Sequence, residues 1–190
     1  MKKMAAFCLL CLFLTGCGTQ PEQLQHYYAS IQTASMQAEV IVHLSGDDRT
    51  FTVSCAYDRE DGATTTIVEP EELSGLSATV TGEDLALSYD GSVWAAGDGG
   101  TLSAANCLPV LLKAIGEGYV TEEGTDRIGG AEYLRLAAEW TFGGETCAVT
   151  LWAQPESYAP YAAELSRDGE VLLTVHIADF TCQCAQETDE

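Results

Sequence analysis

The stretch Met36–Tyr57, MQAEVIVHLSGDDRTFTVSCAY, decides how this chain folds. Val40, Val42 and Leu44 occupy alternate positions, as do Phe51, Val53, Cys55 and Tyr57, and Ser45-Gly46-Asp47-Asp48 separates the two runs. A period of two sends alternate side chains to one face of a pleated strand, and a Gly/Asp cluster between two such runs reverses the chain. The segment is therefore a hairpin. The pattern continues downstream. Glu60-Asp61-Gly62 turns into the β-branched run Thr64–Val68, and the loop Pro70–Gly75 precedes Leu76, Ala78 and Val80. Gly82-Glu83-Asp84 leads into Leu85, Leu87 and Tyr89, and Asp90-Gly91 into Val93-Trp94-Ala95. These runs predict six short strands following one another as a meander.

Two segments break the alternation. Residues 18–35 place Leu24, Tyr27, Tyr28 and Ile31 three and four apart after Pro21, the spacing of an amphipathic helix. Residues 103–118 carry Ala104, Cys107, Leu108, Val110, Leu111, Leu112, Ala114 and Ile115, with Pro109 near the start, Gly116 and Gly118 at the end, and Lys113 as the one charge before the last turn. Apolar on more than one face, this second helix suits burial against a sheet. Further strands are predicted at Tyr119–Arg127, Ala131–Trp140, Cys147–Gln154, Tyr161–Arg167 and Glu170–Phe180, with a Phe142-Gly143-Gly144 turn and an Asp168-Gly169 turn between them. About eleven strands and two helices make one α+β domain, expected over residues 21–185, with an acidic tail at 186–190.

Charge narrows the partners. The 190 residues include 29 Asp and Glu against 8 Lys and Arg, a formal balance of −21, while 46% of residues are hydrophobic. A disordered polyanion lacks that apolar content, and without a basic patch there is nothing to neutralise phosphates by counterion release. Nucleic acid is excluded as a partner.

At the amino end, Lys2 and Lys3 precede an uncharged run, Met4–Leu14, too short for the roughly 20 apolar residues of a membrane-spanning helix. The run ends in Leu14-Thr15-Gly16-Cys17, which resembles the bacterial lipobox. That resemblance implies a signal peptide over 1–16, cleavage before Cys17, a diacylglyceryl thioether on its thiol and a short tether at 17–20. Two acyl chains suffice for stable anchoring, so the expected site is the cell membrane, on its extracytoplasmic face. Both leader lysines leave with the peptide, and the remaining body would be repelled by anionic lipid. Gly18 after Cys17 and the acidic body fit a Gram-positive cell surface.

Once Cys17 is committed to lipid, five cysteines remain: Cys55, Cys107, Cys147, Cys182 and Cys184. An odd number leaves at least one thiol unpaired or bonded between molecules. Cys55 and Cys147 sit in alternating apolar runs, where cysteine acts as a small hydrophobe; a pairing of Cys107 with the tail stays open. Cys182-Gln183-Cys184 is too tight for easy mutual bridging and lacks the partners of a zinc site.

The element order resembles the LolA/LolB superfamily of lipoprotein carriers, including LolA-like lipoproteins of Gram-positive and spore-forming bacteria. Locally, Val68-Glu69-Pro70-Glu71-Glu72-Leu73-Ser74-Gly75-Leu76 is similar to that family's strand, Pro-containing loop and Gly-led strand, and Leu87-Ser88-Tyr89-Asp90-Gly91 to its tight hairpin. The resemblance implies a strongly curved, incomplete antiparallel barrel whose helices cover the concave face and enclose a hydrophobic cavity. Soluble carriers of the family lack a lipobox, and no arginine here stands in a motif matching a functional arginine. A membrane-anchored binder or accessory protein is the expectation, rather than a shuttle.

By alternation, the inward candidates for contact with an apolar ligand are Phe51, Val53, Leu85, Leu87, Leu134, Leu136, Trp140, Val149, Leu151, Val175 and Ile177. No cofactor or metal is expected, and no enzyme: the chain has no GxSxG elbow, HExxH pair, P-loop or GxGxxG turn. The turn at Asp58–Gly62 lacks calcium-loop spacing. Catalysis would require a cleft bringing His43 or His176 beside carboxylates. Two functions remain: a hydrophobic-ligand binder for a lipid or acyl chain, and a lipoprotein that holds or activates an envelope, sporulation or germination enzyme through its outer surface. A hollow interior favours the first, and a packed interior with an open strand edge the second.

Overall fold

A computed structural model describes residues 20–82, 84–98, 102–142 and 144–185. The expected signal peptide over 1–16, the tether from Cys17 to residue 19 and the tail 186–190 lie outside the described residues. The elements in chain order are α1 (Gln20–Ser30), β1 (Ile31–Val42), β2 (Arg49–Asp58), β3 (Gly62–Glu69), β4 (Ser77–Thr81), β5 (Asp84–Tyr89), β6 (Ser92–Asp98), α2 (Cys107–Glu117), β7 (Tyr119–Ile128), β8 (Ala131–Phe142), β9 (Glu145–Ala153), β10 (Pro160–Arg167) and β11 (Glu170–Cys184), with one 3-10 turn at Glu71–Leu73.

All eleven strands join one sheet in the order β6-β5-β4-β3-β2-β1-β11-β10-β9-β8-β7, and every pairing is antiparallel. Two meanders are thus sewn together where β1 meets β11, leaving β6 and β7 as edges. The topology dictates where α2 goes. It follows one edge strand and precedes the other, so the chain crosses the open side of the sheet between them. Nine of the eleven α2 residues are buried, and α2 packs on α1, β3, β8, β9 and β10. Strands so far apart in the sheet can meet one helix only if the sheet curves around it. Register shifts at Gln37/Ala38 in β1, Thr52/Val53 in β2, Leu165/Ser166 in β10 and Val120/Glu122 opposite β8 supply bends of the kind bulges impose.

The helical spacing expected over 18–35 stops at Ser30. From Ile31 the backbone instead pairs with both neighbours: Thr33–Ser35 face Gln183–Thr181 of β11 and Asp58–Ala56 of β2. Two ladders of hydrogen bonds outweigh one more helical turn, and Thr33 and Ser35 are weak helix formers. Pro109 is tolerated as the third residue of α2, because the first four N–H groups of a helix have no intrahelical acceptor.

Arg59, in the β2–β3 turn, locks the helices to the sheet. Its Nη2 donates to the Ala29 carbonyl at 2.7 Å and its Nε to the Ile31 carbonyl at 2.8 Å, at the carbonyl-rich end of α1, while Nη1 meets Glu117 Oε1 at 2.6 Å. A cation there satisfies orphan carbonyls and complements the helix dipole. The helices touch at Gly116, where an added Cβ would lie 2.9 Å from the backbone of Tyr28 and Ala29. Only a residue without a side chain permits that approach.

Candidate functional site

The concave face is mostly filled. Val53, Leu134, Leu136, Val149, Leu151 and Val175 are buried in a single cluster with Leu108, Leu111, Leu112 and Ile115 of α2, and Phe51, Trp140 and Ile177 are partly buried against it. Leu85 and Leu87 on β5 are half-buried and stand outside that cluster.

Beside α2 the filling stops. A cavity of about 170 Å³ is bounded by Asn106, Pro109, Val110 and Lys113 on one stripe of the helix, by Tyr57, Gly62, Ala63, Val80 and Gly82 from the β2–β4 side, and by Trp140 and Thr141 of β8. The helical residues sit at spacings of three and four, hence on one face. Six strands separate β4 from β8 in the sheet, so the curvature builds this site. Gly62 sits at φ +100° with its Cα against β4: a Cβ there would meet the Val80 carbonyl oxygen at 2.1 Å, so the turn presses directly on the wall.

Of the eleven residues expected to face a ligand, Trp140 alone lines this cavity. Spacing within single strands could not have found Tyr57, Val80, Pro109 and Val110, which come together from distant segments. Lys113 did leave a signal, as an isolated charge in an apolar helix.

The polar groups here are few. Burial pushes the Tyr57 phenol above its ordinary value, and the neighbouring Arg59 guanidinium partly offsets this. Asn106 is fully buried, and its Oδ1 accepts from the Ser103 N–H at 2.8 Å, shaping the turn into α2.

A second depression, on the outer face, is lined by Glu39, Thr50, Thr52, Val68, Glu69, Pro70, Glu71 and Ser74. Its carboxylates repel one another and it carries no cation. His43 stands between Asp48, 3.2 Å from Nδ1, and the Thr174 hydroxyl, 2.9 Å from Nε2. This order of groups resembles an acid–base relay, but neither cavity includes it. The His43 N–H is taken up by the Leu172 carbonyl at 2.9 Å. His176 is exposed on the outer face opposite Glu39.

The five cysteines among the described residues, Cys55, Cys107, Cys147, Cys182 and Cys184, are free thiols. Cys107 is fully buried, its Sγ directed to the Ala104 carbonyl, and burial pushes its thiol up to about 12 and that of Cys55 to about 11. Cys182 contacts the Tyr27 hydroxyl at 3.0 Å. Among the described residues, no group of three or more His, Cys, Asp or Glu side chains is placed to hold a metal, and no helix is long and apolar enough to cross a membrane.

No family model matches the sequence, and no curated protein matches it. Solved structures do match in shape. A DUF1329 family protein from Desulfovibrio piger superposes with a TM-score of 0.51 at 9% identity, over 86% of this chain and 90% of that one. An uncharacterized conserved protein from Thermus thermophilus gives 0.50 at 10% identity, over 87% and 89%. A LolA superfamily protein from Nitrosomonas europaea gives 0.48 at 12% identity, over 90% and 96%. An unclosed, curved sheet of eleven antiparallel strands with two helices on its concave side matches the LolA-like expectation drawn from element order, and at these identities the likeness concerns the fold alone.

Proposed function

We propose that this LolA-like protein is a lipid-anchored, extracytoplasmic binder that shields a short apolar segment, such as part of an acyl chain, in the cavity beside α2. The observation that carries the reading is the cavity itself. Beside the close-packed cluster around α2, about 170 Å³ stays open against Val80, Val110, Pro109 and Trp140. A void of about 150 Å³ lined by apolar side chains is large enough to bind benzene, and each methylene buried contributes about 0.8 kcal/mol. A longer chain would need α2 to shift. Anchoring would come from Cys17, and intact-mass measurement of the mature protein tests it: a terminus other than diacylated Cys17 refutes the anchor.

Ligand binding is tested by displacement of an environment-sensitive dye from the full chain by medium-chain alcohols and acids. Val110→Trp, which fills the cavity, is expected to abolish displacement while the far-ultraviolet circular dichroism is unchanged. Displacement that survives Val110→Trp overturns the reading.

A second reading has its own observation. On the β5–β6 edge, Tyr89, Val93 and Trp94 are exposed, Val93 at 70% and Trp94 at 52%, beside the unpaired side of β6. An apolar strand edge suits addition of a partner's strand, which would fit a lipoprotein that holds an envelope enzyme. Crosslinking from a photoreactive residue at position 94 in intact cells tests it; absence of any protein adduct argues against it.

A further inference from the structure

In a chain with 29 acidic residues, the eleven described residues that line the cavity beside α2 include no acid, and the one charge among them is the Lys113 ammonium. The carboxylate that would normally neutralise Lys113 is Glu117, four residues on and one helical turn away. Arg59 holds it instead, at 2.6 Å. No ion pair involves Lys113 among the described residues. A second polar group is in the same position. Tyr57 is only 4% exposed and lines the cavity, and its hydroxyl makes no hydrogen bond among the described residues. Neither group is sealed from solvent, since the Tyr57 hydroxyl is not among the fully buried atoms without a partner and Lys113 is half-buried, so each keeps a donor free for an occupant. The flexible lysine stem can lie along the apolar wall and keep its charge at the rim.

We infer that the occupant of this cavity is a single-chain amphiphile with an anionic head, the head held by Lys113 with Tyr57 as a second donor and the tail packed against Val80, Val110 and Trp140. The inference rests on the apolar-ligand reading and adds the charge of the ligand to it. An ammonium is a point charge with three donors and does not by itself choose between carboxylate and phosphate. The volume suits a tail of about six to eight carbons, by comparison with the six of benzene in a void of about 150 Å³. The isolation of Lys113 from Glu117 is what makes the site selective: were that pair closed, the cavity would be neutral and would hold alcohols and acids alike.

The test titrates the full chain with octanoate, octyl phosphate, octanol, octylamine and acetate by isothermal calorimetry. Octanoate is expected to bind about tenfold more tightly than octanol, the effect of one charge-assisted contact, and octylamine and acetate more weakly than either. Lys113→Gln should remove the preference for acid over alcohol while leaving octanol within about twofold, Lys113→Arg should retain it, and Tyr57→Phe should reduce it several-fold. Tighter binding of octyl phosphate than of octanoate supports the inference and assigns a phosphate head. Equal binding of octanoate and octanol, or equal weakening of both by Lys113→Gln, overturns the charge assignment and leaves the apolar-ligand reading standing. If none of the eight-carbon probes binds, the apolar-ligand reading fails and this inference with it. Acetate binding as tightly as octanoate overturns the amphiphile in favour of a bare anion site.

Discussion

Strands β5–β6 and β8–β9 are written in the same alternating code, and they end in different environments. Leu134, Leu136 and Ala138 of β8 and Val149, Leu151 and Ala153 of β9 are excluded from water, whereas Leu85 and Leu87 of β5 stay half-exposed and Val93 and Trp94 of β6 lie open. The difference is cover. α2 packs on β3, β8, β9 and β10 and, at eleven residues, is about 16 Å long, too short to shield a face of eleven strands. Alternation says that a strand has two faces; which face meets another element depends on where a helix lands.

The comparison can be broken most directly by truncating one leucine on each side. Leu111→Ala in α2 should cost about 2–5 kcal/mol, as deletions in close-packed cores do, read as a shift in the urea midpoint. Leu87→Ala should cost less than half as much, and equal losses would mean that the wing is as tightly covered as the core. The lock between helix and sheet comes next. Arg59→Ala removes charge-assisted hydrogen bonds to α1 and Glu117 and should cost about 1.5–3 kcal/mol, with Arg59→Lys recovering only part of it because an ammonium cannot span the same acceptors.

Gly116→Ala drives a methyl group into the α1 backbone and should cost about 1–3 kcal/mol, whereas Gly130→Ala, where an added Cβ meets nothing but φ is +90°, measures backbone strain alone. Alkaline pH discriminates by burial. The Cys107 and Cys55 thiols titrate higher in the folded state than in the unfolded chain, so the folded protein binds more protons and the stabilisation is complete below about pH 9. It is lost as pH rises from there through about 11 for Cys55 and about 12 for Cys107. Replacing Cys107 with Ala should flatten that loss, measured as unfolding midpoint against pH. The smallest effect is expected at the open edge, where Val93→Ser should change stability by no more than about 0.5 kcal/mol.

Much of this was legible in the residues. The hairpin at 36–57, the six-strand meander, the apolar second helix and the total of eleven strands follow from period and turn chemistry, both local properties of the chain. The end of α1 was not legible, because Ile31–Ser35 leave a helical spacing for a ladder whose other half arrives at residues 181–184. Of the residues that alternation pointed inward, only Trp140 borders the open space: Val53, Leu134, Leu136, Val149, Leu151 and Val175 are closed into the core with α2, while Leu85 and Leu87 stay half-exposed beyond its reach.

The sequence by itself determined the acidity, the strand count and the oddity of one lysine in a greasy helix, because each of these is read along the chain without knowing which distant segments meet. Only the tertiary structure decided that Lys113 is left without its Glu117 partner and shares a cavity with Tyr57, Val80 and Trp140. Those four residues span more than eighty positions, and what brings them together is the bending of the whole sheet around a helix that must cross from one edge to the other.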